Sequence, residues 1–326
     1  MNAPRTRVVR RPVHGVLLLD KPLGLSSNQA LQKAKWLLRA EKAGHTGTLD
    51  PLATGVLPLC FGAATKFSQL HLNADKTYEA TIQLGVTTST GDAEGEVIGR
   101  RPVPTITAVQ MDEVRQRFTG RIMQLPPMYS ALKKDGKALY EYARQGIEVE
   151  RAPREIEIYE LRMEKAEAGG DAPPALKISV NCSKGTYIRT LGQDIGEAFG
   201  CGGHLTTLRR TATGPFTADQ CISLEALEAL PEAERLDSLL LPETLLPDHV
   251  PVTLGHEDAG RFLTGMRRRG TWPDHEQVAV FGREPHALLG TAHVKSGELI
   301  PARLLSPIEI QQILAASSGQ QHEAIA

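Results

Sequence analysis

The sequence is poor in cysteine, in aromatic residues and in long apolar runs. Its 326 residues include four widely spaced cysteines and no C-x-x-C pair, which argues against a zinc site and against a small disulfide-stabilised secreted scaffold. No apolar run approaches the roughly 20 residues that a bilayer-spanning helix needs, so no membrane association is expected. Cysteines without a pairing pattern are typical of a reducing compartment, which predicts a cytoplasmic protein.

The chain also lacks an excess of charge of either sign. It has 37 basic and 38 acidic residues, so bulk charge would not hold it on nucleic acid. The local distribution is uneven, because residues 1–50 contain nine basic and three acidic residues, whereas residues 201–250 contain three and eight. The basic leading segment indicates a face that meets an anion such as a phosphate backbone. For the arginines of residues 1–13 alone, a solvated tail is the favoured interpretation.

The pattern of apolar residues predicts an α+β protein of about two domains. Strands and helices are mixed without a regular βαβ repeat. Strands are predicted at residues 15–20, 56–61, 77–84, 155–161, 176–182 and 203–208, and helices at residues 28–39, 107–118 and 187–198. After an acidic, leucine-rich segment at 224–246, short strands at 277–281 and 287–294 predict a small all-β module.

The loop at residues 44–55, GHTGTLDPLATG, presents an isolated carboxylate. It lacks the Lys-Ser/Thr of a phosphate-binding P-loop and the serine of a nucleophile elbow. Asp50 precedes a proline and is therefore kept out of helical geometry, so a rigid loop could present it as a nucleophile. The alternative is that Asp50 caps a turn, and the loop alone favours that alternative.

Two further segments combine aromatic and basic residues. Tyr78 follows Lys76 at the start of a predicted strand, and Lys184, Tyr187 and Arg189 lie within six residues at a strand-to-helix junction. Such residues can stack on a splayed base and hold its phosphate, and a guanidinium also pairs well with a carboxylate. Each residue taken singly is equally consistent with an ordinary strand-edge aromatic or a surface charge.

Five motifs together resemble the TruB-type tRNA pseudouridine synthases. They occur in the family's order and spacing, at residues 15–27 (GVLLLDKPLGLSS), 44–55, 76–78 (KTY), 183–190 (SKGTYIRT) and 200–210 (GCGGHLTTLRR). The resemblance implies an enzyme that isomerises uridine to pseudouridine at position 55, in the T-arm loop of tRNA. It further implies that the target base is flipped out of its stack and that neither a cofactor nor a metal is needed.

The resemblance also implies roles for individual residues. Asp50 would be the nucleophile, Arg189 would pair with it, and Tyr78 would stack on the flipped uracil and take part in proton removal. The remaining implied substrate-binding residues are His45 at the tRNA loop, Tyr187 and Leu208 in the uridine pocket, and Lys21 beside the loop of Asp50. Whether Asp50 attacks C1′ of the ribose or C6 of the base is left open.

The implied architecture is a pseudouridine synthase catalytic domain, whose mixed, largely antiparallel sheet is flanked by helices, and a C-terminal PUA-like RNA-binding domain. We expect a basic N-terminal tail at 1–13, the catalytic domain at 14–248, the PUA-like domain at 249–306 and a C-terminal tail at 307–326. Residues 128–146 resemble the stand-alone bacterial enzymes, which predicts a monomer that binds the tRNA T-arm without a guide RNA.

Two alternatives stay open: an RNA-binding protein without catalysis, and a guided synthase subunit. Basic side chains offer further RNA contacts, with solvated surface charge as the alternative. They are Lys133, Lys134 and Lys137, and Arg267, Arg268 and Arg269.

Overall fold

A computed structural model describes residues 9–166 and 173–323 of the chain. The strands are β1 (Gly15–Lys21), β2 (Ala43–His45), β3 (Ala53–Phe61), β4 (Lys76–Leu84), β5 (Val86–Thr88), β6 (Val97–Arg100), β7 (Gly120–Gln124), β8 (Lys133–Lys134), β9 (Lys137–Ala138), β10 (Arg154–Lys165), β11 (Ala175–Cys182), β12 (Gly203–Thr213), β13 (Phe216–Thr217), β14 (Ile222–Ser223), β15 (Val250–Leu254), β16 (Arg268–Arg269), β17 (His275–Gly282), β18 (Ala287–Lys295) and β19 (Glu298–Leu304). The α-helices are α1 (Ser27–Leu37), α2 (Ser68–His71), α3 (Ala108–Arg117), α4 (Leu139–Ala143), α5 (Ile188–Ala198), α6 (Leu224–Ala229), α7 (His256–Leu263) and α8 (Pro307–Glu323).

Ten strands form one large sheet in the order β14-β1-β3-β12-β4-β11-β10-β7, with β2 paired to β3 and β13 to β12. The pairs β1–β14 and β3–β12 are parallel and the other pairs of this sheet are antiparallel. The predicted α+β class with a mixed, largely antiparallel sheet is therefore confirmed. The parallel pair brings β3, which follows the loop of Asp50, directly beside β12.

The large sheet buries one face beneath helices. In β4, Tyr78, Ala80 and Ile82 are buried on that face, whereas Glu79 between them is exposed, as the two-residue period of a strand requires. Helices α1 and α5 pack against the same face and share its apolar core. Helix α1 begins at a capping box in which Ser26 accepts from the backbone of Gln29, and its range Ser27–Leu37 agrees with the predicted helix at 28–39 within two residues.

The opposite face of β1 and β3 packs against the C-terminal five-stranded sheet, whose order is β15-β17-β18-β19-β16. Val16, Leu18 and Val56 belong to one apolar cluster with Val280 and Leu289 of that sheet. The two sheets are thus joined through a continuous core, although the sequence suggested a separate module after residue 250. The leucine-rich segment between them contributes to both cores, as expected for a segment that folds back.

The two predicted tails are ordered over the parts that the structure describes. Residues 1–8 and 324–326 of these tails lie outside the described residues. Arg11 pairs with Ala40 as a β-bridge, and Val13 is buried. Residues 307–323 form helix α8 rather than an extended tail, because Ser306 and Glu309 cap its start and Ile310 is buried against the C-terminal core.

Candidate active site

The loop of Asp50 is held by buried contacts while its carboxylate faces outward. Ser27, on the first turn of α1, receives a hydrogen bond from the backbone N–H of Leu49 (2.7 Å) and donates one to the carbonyl of Leu49 (2.9 Å). Ser27 and Leu49 are both buried, but the side chain of Asp50 is 40% exposed. The loop is therefore rigid at its base and presents one accessible carboxylate at its tip.

Lys21, the last residue of β1, lies beneath this loop with no exposed surface. Its Nζ donates to the carbonyl oxygens of Pro22 (2.8 Å), Leu25 (2.5 Å) and Pro51 (3.5 Å). Burial lowers the pKa of Lys21 to about 8, and the nearby carboxylate of Asp50 opposes this shift. Direct contact between Lys21 and substrate stays a prediction, since the partners that the structure shows for its Nζ are backbone carbonyls.

Arg189, in the first turn of α5, forms an ion pair with Asp50 across the site. Its Nε donates to Oδ2 of Asp50 at 2.9 Å, and its side chain is only 5% exposed. Its other two nitrogens donate to backbone carbonyls, Nη1 to Thr90 at 2.7 Å and Nη2 to Tyr129 at 2.6 Å. The guanidinium is thus held by three separate segments, and its ion pair fixes the direction of the Asp50 carboxylate.

Asp92 is a second carboxylate beside Arg189 that sequence reasoning missed. Its Oδ2 lies 3.6 Å from Nε of Arg189, and its side chain is 4% exposed. It lies in the cluster at residues 91–95, which the sequence identifies only as a turn. One guanidinium therefore faces two carboxylates, of which only Asp50 is accessible. No local signal distinguishes Asp92 from any other acidic turn residue.

Tyr78 and Leu208 lie on the helix-covered face of the sheet, on neighbouring strands. Leu208 of β12 is opposite Ala80 of β4, and Arg210 is opposite Tyr78, so the four side chains share one face. Tyr78 and Leu208 are each 8% exposed. Burial raises the pKa of Tyr78, and the charge of Arg210 opposes the rise. Both residues belong to the same apolar cluster as Leu49 and Ile188, the neighbours of Asp50 and Arg189.

Tyr187 is anchored by a residue that sequence reasoning did not single out. The side chain of Gln124 receives a hydrogen bond from the backbone N–H of Tyr187 (2.8 Å) and donates one to its carbonyl (3.1 Å). Gln124 is buried, so this two-point clamp fixes the entry to α5 immediately before Arg189. Burial raises the pKa of Tyr187 itself.

His45 ends β2 at the start of the loop and is half-buried. Burial lowers its pKa, and the neighbouring charge of Arg210 adds to the lowering. Its Nδ1 has no hydrogen-bond partner within residues 9–166 and 173–323. This nitrogen is buried, so contact between His45 and the tRNA loop stays a prediction.

The two predicted basic clusters differ in their surroundings. Lys133, Lys134 and Lys137 are exposed on the hairpin formed by β8 and β9, where their charges face solvent. The three arginines of the C-terminal sheet are engaged in ion pairs: Arg267 and Arg269 with Glu298, and Arg268 with Asp258. Part of the charge of the second cluster is therefore neutralised within the protein, and RNA contact by either cluster stays a prediction.

Comparison with known proteins identifies the family. The model of the TruB family pseudouridylate synthase N-terminal domain matches residues 35–188, and that of the tRNA pseudouridylate synthase B C-terminal domain matches residues 189–247. The tRNA pseudouridine synthase B of Verminephrobacter eiseniae is 63% identical over 321 residues, which cover 98% of this chain and 97% of the relative. The chain belongs to the TruB family of tRNA pseudouridine synthases. The corresponding enzyme of Ralstonia nicotianae is 56% identical over 91% of this chain and 95% of its own length.

The TruB-family fold is also shared with solved structures. A chain of the Cbf5-Nop10-Gar1 complex matches with a TM-score of 0.66 and 25% identity, over 91% of this chain and 86% of its own. A chain of an H/ACA ribonucleoprotein bound to substrate RNA matches with a TM-score of 0.64 at 23% identity, over 90% and 86%, and shows the fold alone. The predicted pseudouridine synthase fold and the enzyme class, an isomerase that acts on uridine in tRNA, are confirmed by this membership.

The described part of the chain contains neither a candidate membrane-spanning helix nor a candidate metal-binding cluster. Among the helices in the described part of the chain, none is both long and apolar enough to cross a membrane. Within the same residues, no group of three or more histidine, cysteine or acidic side chains is arranged to hold a metal ion.

Proposed function

We propose that this TruB-family enzyme converts uridine 55 in the T-arm loop of tRNA to pseudouridine, with Asp50 as nucleophile. The observation that carries the proposal is the exposed carboxylate of Asp50, held 2.9 Å from the buried guanidinium of Arg189. The ion pair holds the carboxylate in one orientation, as a positioned nucleophile requires. A protein that only binds RNA would gain nothing from an accessible carboxylate near phosphates.

The target uridine would reach Asp50 by leaving its stack. Extruding a base costs a few kcal/mol, which stacking and hydrogen bonds in a pocket offset. Tyr78 and Leu208 share the face beside Asp50, so the ring of the flipped uracil can lie between an aromatic and an aliphatic side chain. His45 and Tyr187 border the same site and would contact the tRNA loop and the uridine.

Pseudouridine formation breaks and forms bonds within the uridine and exchanges only protons with its surroundings. The N1–C1′ glycosidic bond breaks, the base turns, and a C5–C1′ bond forms; C5 loses one proton and N1 gains one. No electrons leave the substrate and no phosphate is cleaved, so the reaction calls for neither a redox cofactor nor a nucleotide. Attack by Asp50 at C1′ of the ribose and attack at C6 of the base both fit an accessible carboxylate at the tip of a rigid loop.

The enzyme would act alone, as a cytoplasmic monomer without a guide RNA. The relatives named tRNA pseudouridine synthase B align over nearly their whole length with this chain, which supports stand-alone action on tRNA. Recognition would come from the T-arm itself, with the exposed lysines of the β8–β9 hairpin as phosphate contacts.

An unmodified tRNA transcript tests this proposal. Purified protein without added cofactor is incubated with the transcript, and pseudouridine is mapped by carbodiimide adducts and primer extension. We expect one stop at uridine 55, its absence in D50N with tRNA binding retained, and a normal stop in D112N, which alters an exposed aspartate of α3. A stop that persists in D50N would rule out Asp50 as nucleophile; tight binding without any stop would favour the binding protein or the guided subunit.

A further inference from the structure

Arg210 closes the LRR sequence of the last family motif and has no role in the reaction as described above. On β12 it is opposite Gly55 of β3 and Tyr78 of β4, so it lies at the centre of the sheet beneath the site. The preceding residue, Arg209, points to the opposite face and forms a two-point ion pair with Asp20, at 2.9 and 2.8 Å. The two adjacent arginines therefore have different surroundings.

The guanidinium of Arg210 is buried, with 1% of the residue exposed. Its Nε donates to the carbonyl of Val56 at 2.7 Å, and Nη1 lies 3.8 Å from the position that a Cβ on Gly47 would occupy. Arg210 is therefore hydrogen-bonded to β3 and lies close to the loop between His45 and Asp50. Its Nη2 has no hydrogen-bond partner in the described part of the chain.

The charge of Arg210 is not compensated by a carboxylate. None of the ion pairs among the described residues includes Arg210, although those residues contain many arginine ion pairs. A buried, unpaired charge costs free energy, so stability alone does not account for an arginine at this position. Tyr78 lies directly opposite Arg210 on the neighbouring strand, so the two side chains share one face of the sheet.

We propose that Arg210 is a positioning residue for pseudouridine formation, which holds the phenol of Tyr78 in place against the flipped uracil and stabilises negative charge on its oxygen. The proposal rests on the proposed function, because it assigns Tyr78 to the base. The uracil must lose one proton from C5, and a fixed cation lowers the free-energy cost of forming the phenolate that can accept this proton and return it later. In agreement with this geometry, Arg210 opposes the rise that burial produces in the pKa of Tyr78.

Three variants separate this role from a structural one. R210Q removes the charge, R210K keeps it but loses the forked geometry, and R209Q makes the same change on the opposite face as a matched control. In single-turnover assays on tRNA, we expect R210Q to lower the rate at least about tenfold, the effect of losing one charged hydrogen-bond donor. Tight tRNA binding and the thermal midpoint should stay close to those of the wild type, and R209Q should keep the wild-type rate.

The pH dependence gives a readout that a structural role would not move. In R210Q the pH at which the rate rises should shift upward, because Tyr78 has lost its cation, whereas R210K should keep the wild-type profile. A loss of rate in R210Q that simply follows weaker tRNA binding or a lower thermal midpoint would overturn the proposal. If R210Q does not fold, R210K and a Y78F/R210K double variant are measured in its place. A wild-type rate and a wild-type pH profile in both of these variants would also overturn the proposal.

A spectroscopic measurement tests the contact without relying on activity. The protein is labelled with 3-fluorotyrosine, and the 19F resonance of Tyr78 is identified by its absence in Y78F. We expect this resonance to shift and to titrate at higher pH in R210Q, to shift less in R210K, and to stay unchanged in R209Q. An unchanged resonance in both Arg210 variants would overturn the proposal even if the enzyme is active, whereas a shifted resonance in a protein inactive on tRNA would count against the proposed function only.

Discussion

Replacement of Arg189 by lysine should separate what the charge of this side chain contributes to stability and rate from what its forked hydrogen-bonding geometry contributes. Arg189 donates through three nitrogens to three segments, to Asp50 at 2.9 Å and to the carbonyls of Thr90 and Tyr129 at 2.7 and 2.6 Å. A lysine ammonium on a flexible stem keeps the charge but cannot reach all three acceptors in those directions. We therefore expect R189K to lose two of the three hydrogen bonds.

The magnitude follows from burial. Arg189 is 5% exposed, and each hydrogen bond to a charged group contributes about 1.5–3 kcal/mol, so two lost bonds amount to about 3–6 kcal/mol. The bond to Asp50 belongs to the lower end, because that carboxylate is 40% exposed and solvent screens it. If the altered orientation of Asp50 raises the activation free energy by about 1.5 kcal/mol, the rate falls about tenfold.

Two measurements and one control decide the outcome for R189K. Urea denaturation gives the change in the free energy of unfolding, and single-turnover pseudouridine formation on a tRNA transcript gives the change in rate. R162K serves as the control, since Arg162 is 76% exposed and, among the residues that the structure describes, forms its ion pair with Glu160 alone, so both quantities should stay near wild type. Wild-type stability together with a wild-type rate in R189K would refute the argument that forked geometry, rather than charge, holds Asp50.

Three further changes have expected outcomes. Burial lowers the pKa of His71 to about 4, so as the pH falls from 6.5 to 4 the unfolded chain protonates this imidazole before the folded protein does. About 3 kcal/mol of the free energy of unfolding should be lost over that pH range. In H71Q, denaturation at several pH values should show a smaller loss of stability over the same range. K21M should lower the single-turnover rate at least about tenfold by loosening the loop of Asp50, yet cost less than about 2 kcal/mol of stability, since it removes a buried ammonium whose pKa is lowered to about 8. G55A should destabilise by about 1–3 kcal/mol more than G24A in thermal denaturation, because both glycines have positive φ but only at Gly55 would a Cβ overlap the neighbouring strand, 2.1 Å from a carbonyl oxygen; equal losses would contradict this.

Much of the fold was accessible from local patterns. The strand predicted at 77–84 and the helix predicted at 28–39 agree with β4 and α1 within a few residues, because the period of an apolar pattern is a property of neighbouring residues. Helix α8 was missed because its polar composition resembles a frayed end, and its packing against the C-terminal core is a non-local contact. Sharing of a core between the two sheets was missed for the same reason.

The candidate site shows the same division. Asp50, Arg189 and Tyr78 were proposed from motifs, whereas Asp92 and Gln124 became visible only when the chain was folded. An aspartate in a glycine-bounded turn and a glutamine at the end of a strand carry no local mark of function. Their importance lies in what they contact, Arg189 and the backbone of Tyr187, which are distant in sequence.

The sequence by itself determined the order and period of the elements, the family motifs and the place of Asp50 before a proline, because each depends on residues close together in the chain. Tertiary structure decided which side chains meet. Asp50 and Arg189 are 139 residues apart, and they pair because β3 and α5 pack on one sheet core, so that burial leaves one carboxylate accessible and the guanidinium covered. Contacts of such separation arise from the packing of the whole domain, which no local segment encodes.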